Sequence, residues 1–124
     1  MFYRRKYYQV TPDFVEPFNQ LFNEINLPNQ LRQGSRLIGR WSCALNNGLV
    51  EVFAIWEYDS KEQYERIEAR IRSDKDHVER IRSWYAAHGG RELIYRDYIK
   101  VRNEEIHNTF VDSSLAGKPI SLLS

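Results

Sequence analysis

The chain has one cysteine, Cys43, in 124 residues. A single thiol excludes an internal disulfide framework and a cysteine-rich zinc site. Net charge is nearly absent too, since 18 Lys+Arg stand against 17 Asp+Glu and leave +1. No basic field exists to hold a phosphate backbone, and no acidic tail is present. Long hydrophobic runs are missing. The longest candidate, Val50 to Trp56, is broken by Glu51 and falls far short of the ~20 residues that span a bilayer. Met1 to Tyr8 carries basic residues with no apolar run behind them, unlike a secretory signal. Internal repeats and low-complexity tracts are also lacking. The expectation is a soluble cytoplasmic protein with neither a membrane nor a nucleic-acid partner.

What is present suits one packed domain: 42% of the residues are hydrophobic and 14% aromatic. Residues 2–10, rich in aromatic side chains, read as a strand that ends at Thr11-Pro12. Thr11 and Pro12 suit a helix start. Phe14, Phe18, Leu21, Phe22 and Ile25 follow at helical spacing. Pro17 lies inside that pattern, so an irregular first turn or a kink is expected. Asn29 to Gln33, between Pro28 and Gly34, adds a helical turn.

Ser35 to Leu45 and Leu49 to Tyr58 read as strands joined by Asn46-Asn47-Gly48, a hairpin signal. Ser60 with Gln63 three residues on is a capping-box pattern. The helix it opens buries Tyr64, Ile67 and Ile71, and Ser73-Asp74 interrupts it. Asp74 then caps a helix carrying Val78, Ile81 and Tyr85, which stops at Gly89 or Gly90. Arg91 to Arg102 reads as the last strand, which makes residues 1–102 the domain and 103–124 a C-terminal tail. The order is the α+β, ferredoxin-like βαββαβ plan, a four-stranded antiparallel sheet with the helices on one face.

A two-residue hairpin loop, Asn47-Gly48, would pair Cys43 with Val52, Trp41 with Ala54 and Gly39 with Trp56. Paired residues share a face. Gly39, Trp41, Cys43, Val52, Ala54, Trp56 and Tyr58 would then form one surface, with Gly39 leaving room for the Trp56 indole. A three-residue loop would shift the register by one and break this set. The third strand is apolar on its other face as well, through Phe53 and Ile55. Helices cover only one face, so something else must cover the other. Either a second copy packs sheet to sheet as an isologous dimer, or the C-terminal tail folds over the sheet.

Gly39-Arg40-Trp41, the turn Gly48 and Ile55-Trp56-Glu57-Tyr58-Asp59-Ser60 resemble the NIPSNAP family, whose pattern there is Gly-x-Trp, a turn glycine and a Trp-x-Tyr-Asp-Ser strand end. Lys6-Tyr7-Tyr8 with Val10-Thr11-Pro12 is similar to the family's first strand, and the resemblance covers roughly residues 2 to 100. Two positions depart from the pattern. Arg4 stands where the family often carries an acid, and Lys6 where it carries an arginine; lysine offers a point charge in place of a bidentate guanidinium. The resemblance implies a dimeric α+β barrel with a cleft in each protomer. The wider superfamily includes cofactor-independent antibiotic-biosynthesis-type monooxygenases and haem-degrading enzymes. A family name does not by itself deliver a reaction.

Motifs for specific chemistry are sparse. His77, His88 and His107 lie far apart and form no His-x-x-x-His pair, so no metal is expected. No Gly-x-Ser-x-Gly elbow is present. RNA-recognition modules on this fold need a basic Gly-aromatic motif on the third strand, where this chain has Glu51 and Glu57. No flavin motif occurs, and no cofactor is expected. Lys6 occupies the position where haem-degrading relatives carry an asparagine. What remains is a cleft for a small organic molecule, aromatic or anionic, with Trp41, Trp56 and Tyr58 as flat walls and Lys6, Tyr8 and His77 as polar ends. Trp41 and Trp56 are more often dimer core than ligand platform, and His77 suits a solvated first helical turn. Placing Lys6 and Tyr8 on the Trp56 face follows from the resemblance alone. A monooxygenase acting on an electron-rich aromatic and a purely structural dimer are the competing readings.

Overall fold

The hairpin at the middle of the chain sets the geometry of the sheet. In the computed structural model, which describes residues 1–106, Leu45 N–H donates to the Leu49 carbonyl at 2.9 Å and Gly48 N–H to the Leu45 carbonyl at 3.3 Å. The loop is therefore the three residues Asn46-Asn47-Gly48. Gly48 sits at φ +81°, the left-handed position that closes such a loop, and the Asn47 side chain accepts from Leu49 N–H.

Four antiparallel strands follow the order β2-β3-β1-β4, where β1 is Phe2–Val10, β2 Arg36–Ala44, β3 Val50–Tyr58 and β4 Ile99–Ile106. This is the ferredoxin-like arrangement expected from the element order. The register differs from the two-residue reading by one: Trp41 pairs with Phe53 and Cys43 with Glu51. A bulge at Ile38 shifts it again, so that Leu37 faces Trp56 while Gly39 faces Ile55. Trp41, Cys43 and Gly39 consequently lie on the face opposite Val52, Ala54, Trp56 and Tyr58. Gly39 does leave room for an indole, but for that of Trp41, which a Cβ at this position would strike.

Helices cover the Trp56 face. A 3-10 turn, Pro12–Phe14, leads into α1 (Val15–Leu21), so the first turn is irregular as Pro17 requires. A π turn, Phe22–Asn26, then connects to α2 (Leu27–Arg32). Pro28 explains the widened turn, because its ring has no N–H to give and crowds the carbonyl four residues back. Ser60 caps α3 (Lys61–Ser73) by accepting from Gln63 N–H at 3.0 Å, and Gln63 returns a bond to Asp59 N–H. Asp74 caps α4 (Lys75–Ala87) by accepting from His77 N–H at 3.1 Å.

Arg91–Asp97 is a short helix, α5, rather than the start of the last strand. Leu93-Ile94-Tyr95 is a three-residue apolar run that suits either period, and Gly90 at φ +93° decides it by ending one helix and opening the next. Strand β4 begins at Ile99 and reaches Ile106, beyond the expected boundary at 102. Residues 107–124, which hold His107 and most of the expected tail, lie outside the described residues. Among the described residues, no helix is long and apolar enough to cross a membrane.

The core forms two clusters, one centred on Val10, Phe14, Phe18, Val52 and Ile94, the other on Phe2, Trp56, Tyr58, Ile67 and Ile71. Phe14, Phe18, Leu21, Ile67, Ile71 and Tyr85 are buried as their spacing implies, whereas Val78 is exposed.

Candidate functional site

Register places three side chains in one line. Lys6 on β1 pairs with Ala54 on β3, and Ala54 pairs with Arg40 on β2. Residues paired across strands share a face, and this one is the helix-covered face that holds Trp56. The small Ala54 side chain between two long cations leaves open floor. Above it lies a cavity of about 320 Å³ lined from both core clusters, with Phe18, Phe22, Trp56 and Tyr85 among its walls. Its volume is in the range of small-molecule sites.

Arg40 is the best-held charge. Its Nη1 donates to Asn19 Oδ1 at 2.6 Å, and its guanidinium lies 4.2 Å over the Phe22 ring and 5.5 Å from that of Phe18. Nη2 is buried without a partner among the described residues. Burial lowers the Arg40 pKa from its ordinary value, yet an arginine remains charged. Lys6 makes no hydrogen bond or ion pair among the described residues. Arg91 lines the same cavity and lies over the Tyr85 and Tyr95 rings at 5.2 and 5.0 Å. Glu68 is the one acidic side chain in the lining, and no ion pair joins it to these cations among the described residues. The lining therefore carries more positive than negative charge.

His77 completes the site from α4. It is 9% exposed, and its Nδ1 is buried with no partner among the described residues. Burial lowers its pKa, Arg80 and Arg32 lower it further, and Asp74 opposes them. The imidazole is neutral near pH 7. Tyr8 also faces the cavity, packed edge-on against Phe18 at 4.9 Å. Burial chiefly raises its pKa well above 10, the nearby Tyr95 adds to this, and Arg40 and Arg91 pull the other way. The Tyr85 and Tyr95 hydroxyls meet at 3.1 Å.

Of the six residues expected from sequence, the structure brings Lys6, Tyr8, Trp56 and His77 together. His77 is buried, not solvated. Tyr58 is buried outside the cavity lining: it is 2% exposed, its hydroxyl lies 3.5 Å from Ser35 Oγ, and burial pushes its phenol up to about 12. Trp41 lies on the outer face and is 47% exposed, because the three-residue loop moved it there. Sequence reasoning missed Arg40, Arg91 and Glu68. With the right register, Arg40 becomes a cation on an otherwise apolar face, which is a signal in itself. Arg91 was hidden by reading its helix as strand. Arg4 is tied to Glu105 at 3.3 Å and lies 5.0 Å over the Tyr64 ring.

Comparison with known proteins agrees with this architecture. The family model described as NIPSNAP matches residues 3–89. Among solved structures, protein Atu4242 of Agrobacterium tumefaciens is 17% identical, with 91% of this chain and 98% of that chain covered, at a TM-score of 0.68. An uncharacterised NIPSNAP-like domain protein from Burkholderia xenovorans is 17% identical over 90% of this chain and 87% of that one, at 0.65. A NIPSNAP family protein, Atu5224 of Agrobacterium tumefaciens, is 16% identical over 90% and 96%, also at 0.65. Comparison with curated proteins finds no match.

Proposed function

The chain belongs to the NIPSNAP family, and on that premise we propose that it is a homodimeric binding protein whose cavity takes a small, partly aromatic organic anion. One observation carries the reading: Lys6 and the spare Nη2 of Arg40 flank Ala54 beneath aromatic walls. Two cations with hydrogen-bonding capacity left over, partly screened from water, attract an acid more strongly than they would at an exposed surface. Flat rings beside them suit a planar molecule. Calorimetric titration with cinnamate, a planar carboxylate, tests it. Saturable binding that Arg40→Gln weakens at least tenfold is expected; no binding, or binding indifferent to Arg40→Gln, overturns it.

The dimer rests on the other face of the sheet. Trp41, Phe53, Tyr7 and Arg102 form one cross-strand row there, with Trp41 and Phe53 ring centroids 5.3 Å apart and Arg102 lying 4.9 Å over Tyr7. Ile38 and Trp41 are 53% and 47% exposed. An indole and two further rings on a sheet face that no other described element covers favour a self-complementary partner, since the same patch meets itself across a two-fold axis. Sedimentation at micromolar concentration checks this: a dimer that Trp41→Glu converts to a folded monomer is expected, and a wild-type monomer refutes it.

A further inference from the structure

The anion seat leaves the role of His77 open. His77 is more than nine-tenths buried, its Nδ1 has no partner, and it lines the cavity that Lys6 and Arg40 enter from the sheet. A buried ring nitrogen without a hydrogen bond costs stability, and a ligand that supplies the missing bond recovers that cost.

The surroundings narrow what the ligand group can be. A second carboxylate beside a neutral imidazole gains little and meets the like charge of Glu68 in the same lining. An ammonium group meets Lys6, Arg40 and Arg91. A neutral hydroxyl escapes both penalties, and it can donate to or accept from Nδ1 in either tautomer. His77 comes from α4 and the two cations from β1 and β2, so the two polar groups of the ligand sit on different parts of its frame. The rings of Trp56, Phe22 and Tyr85 in the same lining call for a planar frame.

We infer that the cavity is matched to a hydroxyaryl carboxylate, its acid between Lys6 and Arg40 and its hydroxyl on His77 Nδ1. This rests on the anion-binding reading above and adds the second recognition point. It assigns His77 the role of discriminating hydroxylated from plain aryl acids, because a site built to bond a hydroxyl loses that bond with the bare analogue.

The probes are 4-hydroxycinnamate, cinnamate and 4-hydroxycinnamyl alcohol, titrated calorimetrically at pH 7.5. On the wild-type protein 4-hydroxycinnamate binds about tenfold more tightly than cinnamate, the effect of one net hydrogen bond. The alcohol, lacking the acid, binds more weakly than either. His77→Phe, which keeps a flat ring, brings the ratio of the two acids to about one, and a ratio that persists in this variant overturns the assignment. Equal affinities on the wild-type protein overturn the inference whatever the variant does, and leave the anion reading standing; failure of both acids to bind overturns the two together. A 15N spectrum of the wild-type imidazoles gives an independent check. The His77 Nδ1 resonance moves with 4-hydroxycinnamate and not with cinnamate, and identical responses to the two acids again refute the assignment.

Discussion

Lys6 and Arg40 stand in one cross-strand row, one strand to either side of Ala54. Adjacent strands are about 4.8 Å apart, so the two backbones hold their charges over a gap that a larger residue at position 54 would fill. Arg40 is fixed by Asn19 and by the Phe22 ring, whereas Lys6 makes no hydrogen bond or ion pair among the described residues.

The two cations therefore differ in how they fail. Arg40→Lys keeps the charge but loses the guanidinium contact over the Phe22 ring and one edge of the fork. It weakens cinnamate binding about tenfold, close to the effect of Arg40→Gln. Lys6→Arg is tolerated, because the position asks only for charge, and Lys6→Gln costs about 1.5–3 kcal/mol of binding, the range for a charge-assisted hydrogen bond. Titration of the four variants measures these differences. Equal tolerance of lysine at both positions contradicts the asymmetry.

Glu68 lines the cavity beside Lys6, Arg40 and Arg91 and would repel the proposed anion. Glu68→Gln removes the repulsion with little change of shape, and cinnamate binds more tightly by several-fold. The gain shrinks as salt is added, since screening acts on the same interaction. An affinity that falls on Glu68→Gln would assign Glu68 to the ligand instead of against it.

Much of the fold follows from short-range rules the sequence displays openly. Ser60 and Asp74 announce their helices because a side-chain oxygen has to meet orphan N–H groups, and both do so in the structure. The sheet register was another matter. Asn46-Asn47-Gly48 closes as a two- or a three-residue loop, and only the bond from Leu45 N–H to Leu49 separates the options. That single step moved Trp41 to the outer face and brought Arg40 into the cavity. The bulge at Ile38 left no mark in composition at all. Lys6, Trp56 and His77 were legible as candidates, while Arg91 and Glu68 depend on how helices pack and have no signature at the level of spacing.

His77 gives the fold a pH dependence of known sign. Its folded-state pKa lies below the ordinary 6.5, first through burial and then through Arg80 and Arg32, with Asp74 acting against them. Lys6, Arg40 and Arg91 line the same cavity and Glu68 offsets part of their charge. As pH falls below 6.5 the unfolded chain takes up a proton that the folded chain resists, so stability drops until the folded pKa is passed. Above 6.5 the contribution is fully present. Melting temperatures at pH 7.5 and 5.5 fall less far apart in His77→Gln than in the wild-type protein. A variant with the same or a steeper acid loss contradicts this origin.

Trp56 and Trp41 separate the two faces of the sheet. Trp56 is 4% exposed and packs with Phe2, Ala54, Ile67 and Ile71. Trp56→Ala removes a buried indole at a cost of about 3–5 kcal/mol. The lower end applies, because one side of the ring already borders a cavity. That is a large part of the ~5–15 kcal/mol available to a domain, so the melting temperature falls sharply and ligand binding is lost, while whatever still folds remains dimeric. Trp41→Ala does the reverse. The half-exposed ring gives up its tilted contact with Phe53, worth about 1 kcal/mol, and the isolated protomer is little affected. What disappears is the concentration dependence of melting, because a dimer that binds only folded protomers is stabilised by mass action. Melting curves over a hundredfold range of concentration read both effects. A Trp56→Ala protein that turns monomeric with an unchanged melting temperature would put the interface on the helix-covered face and reverse the assignment.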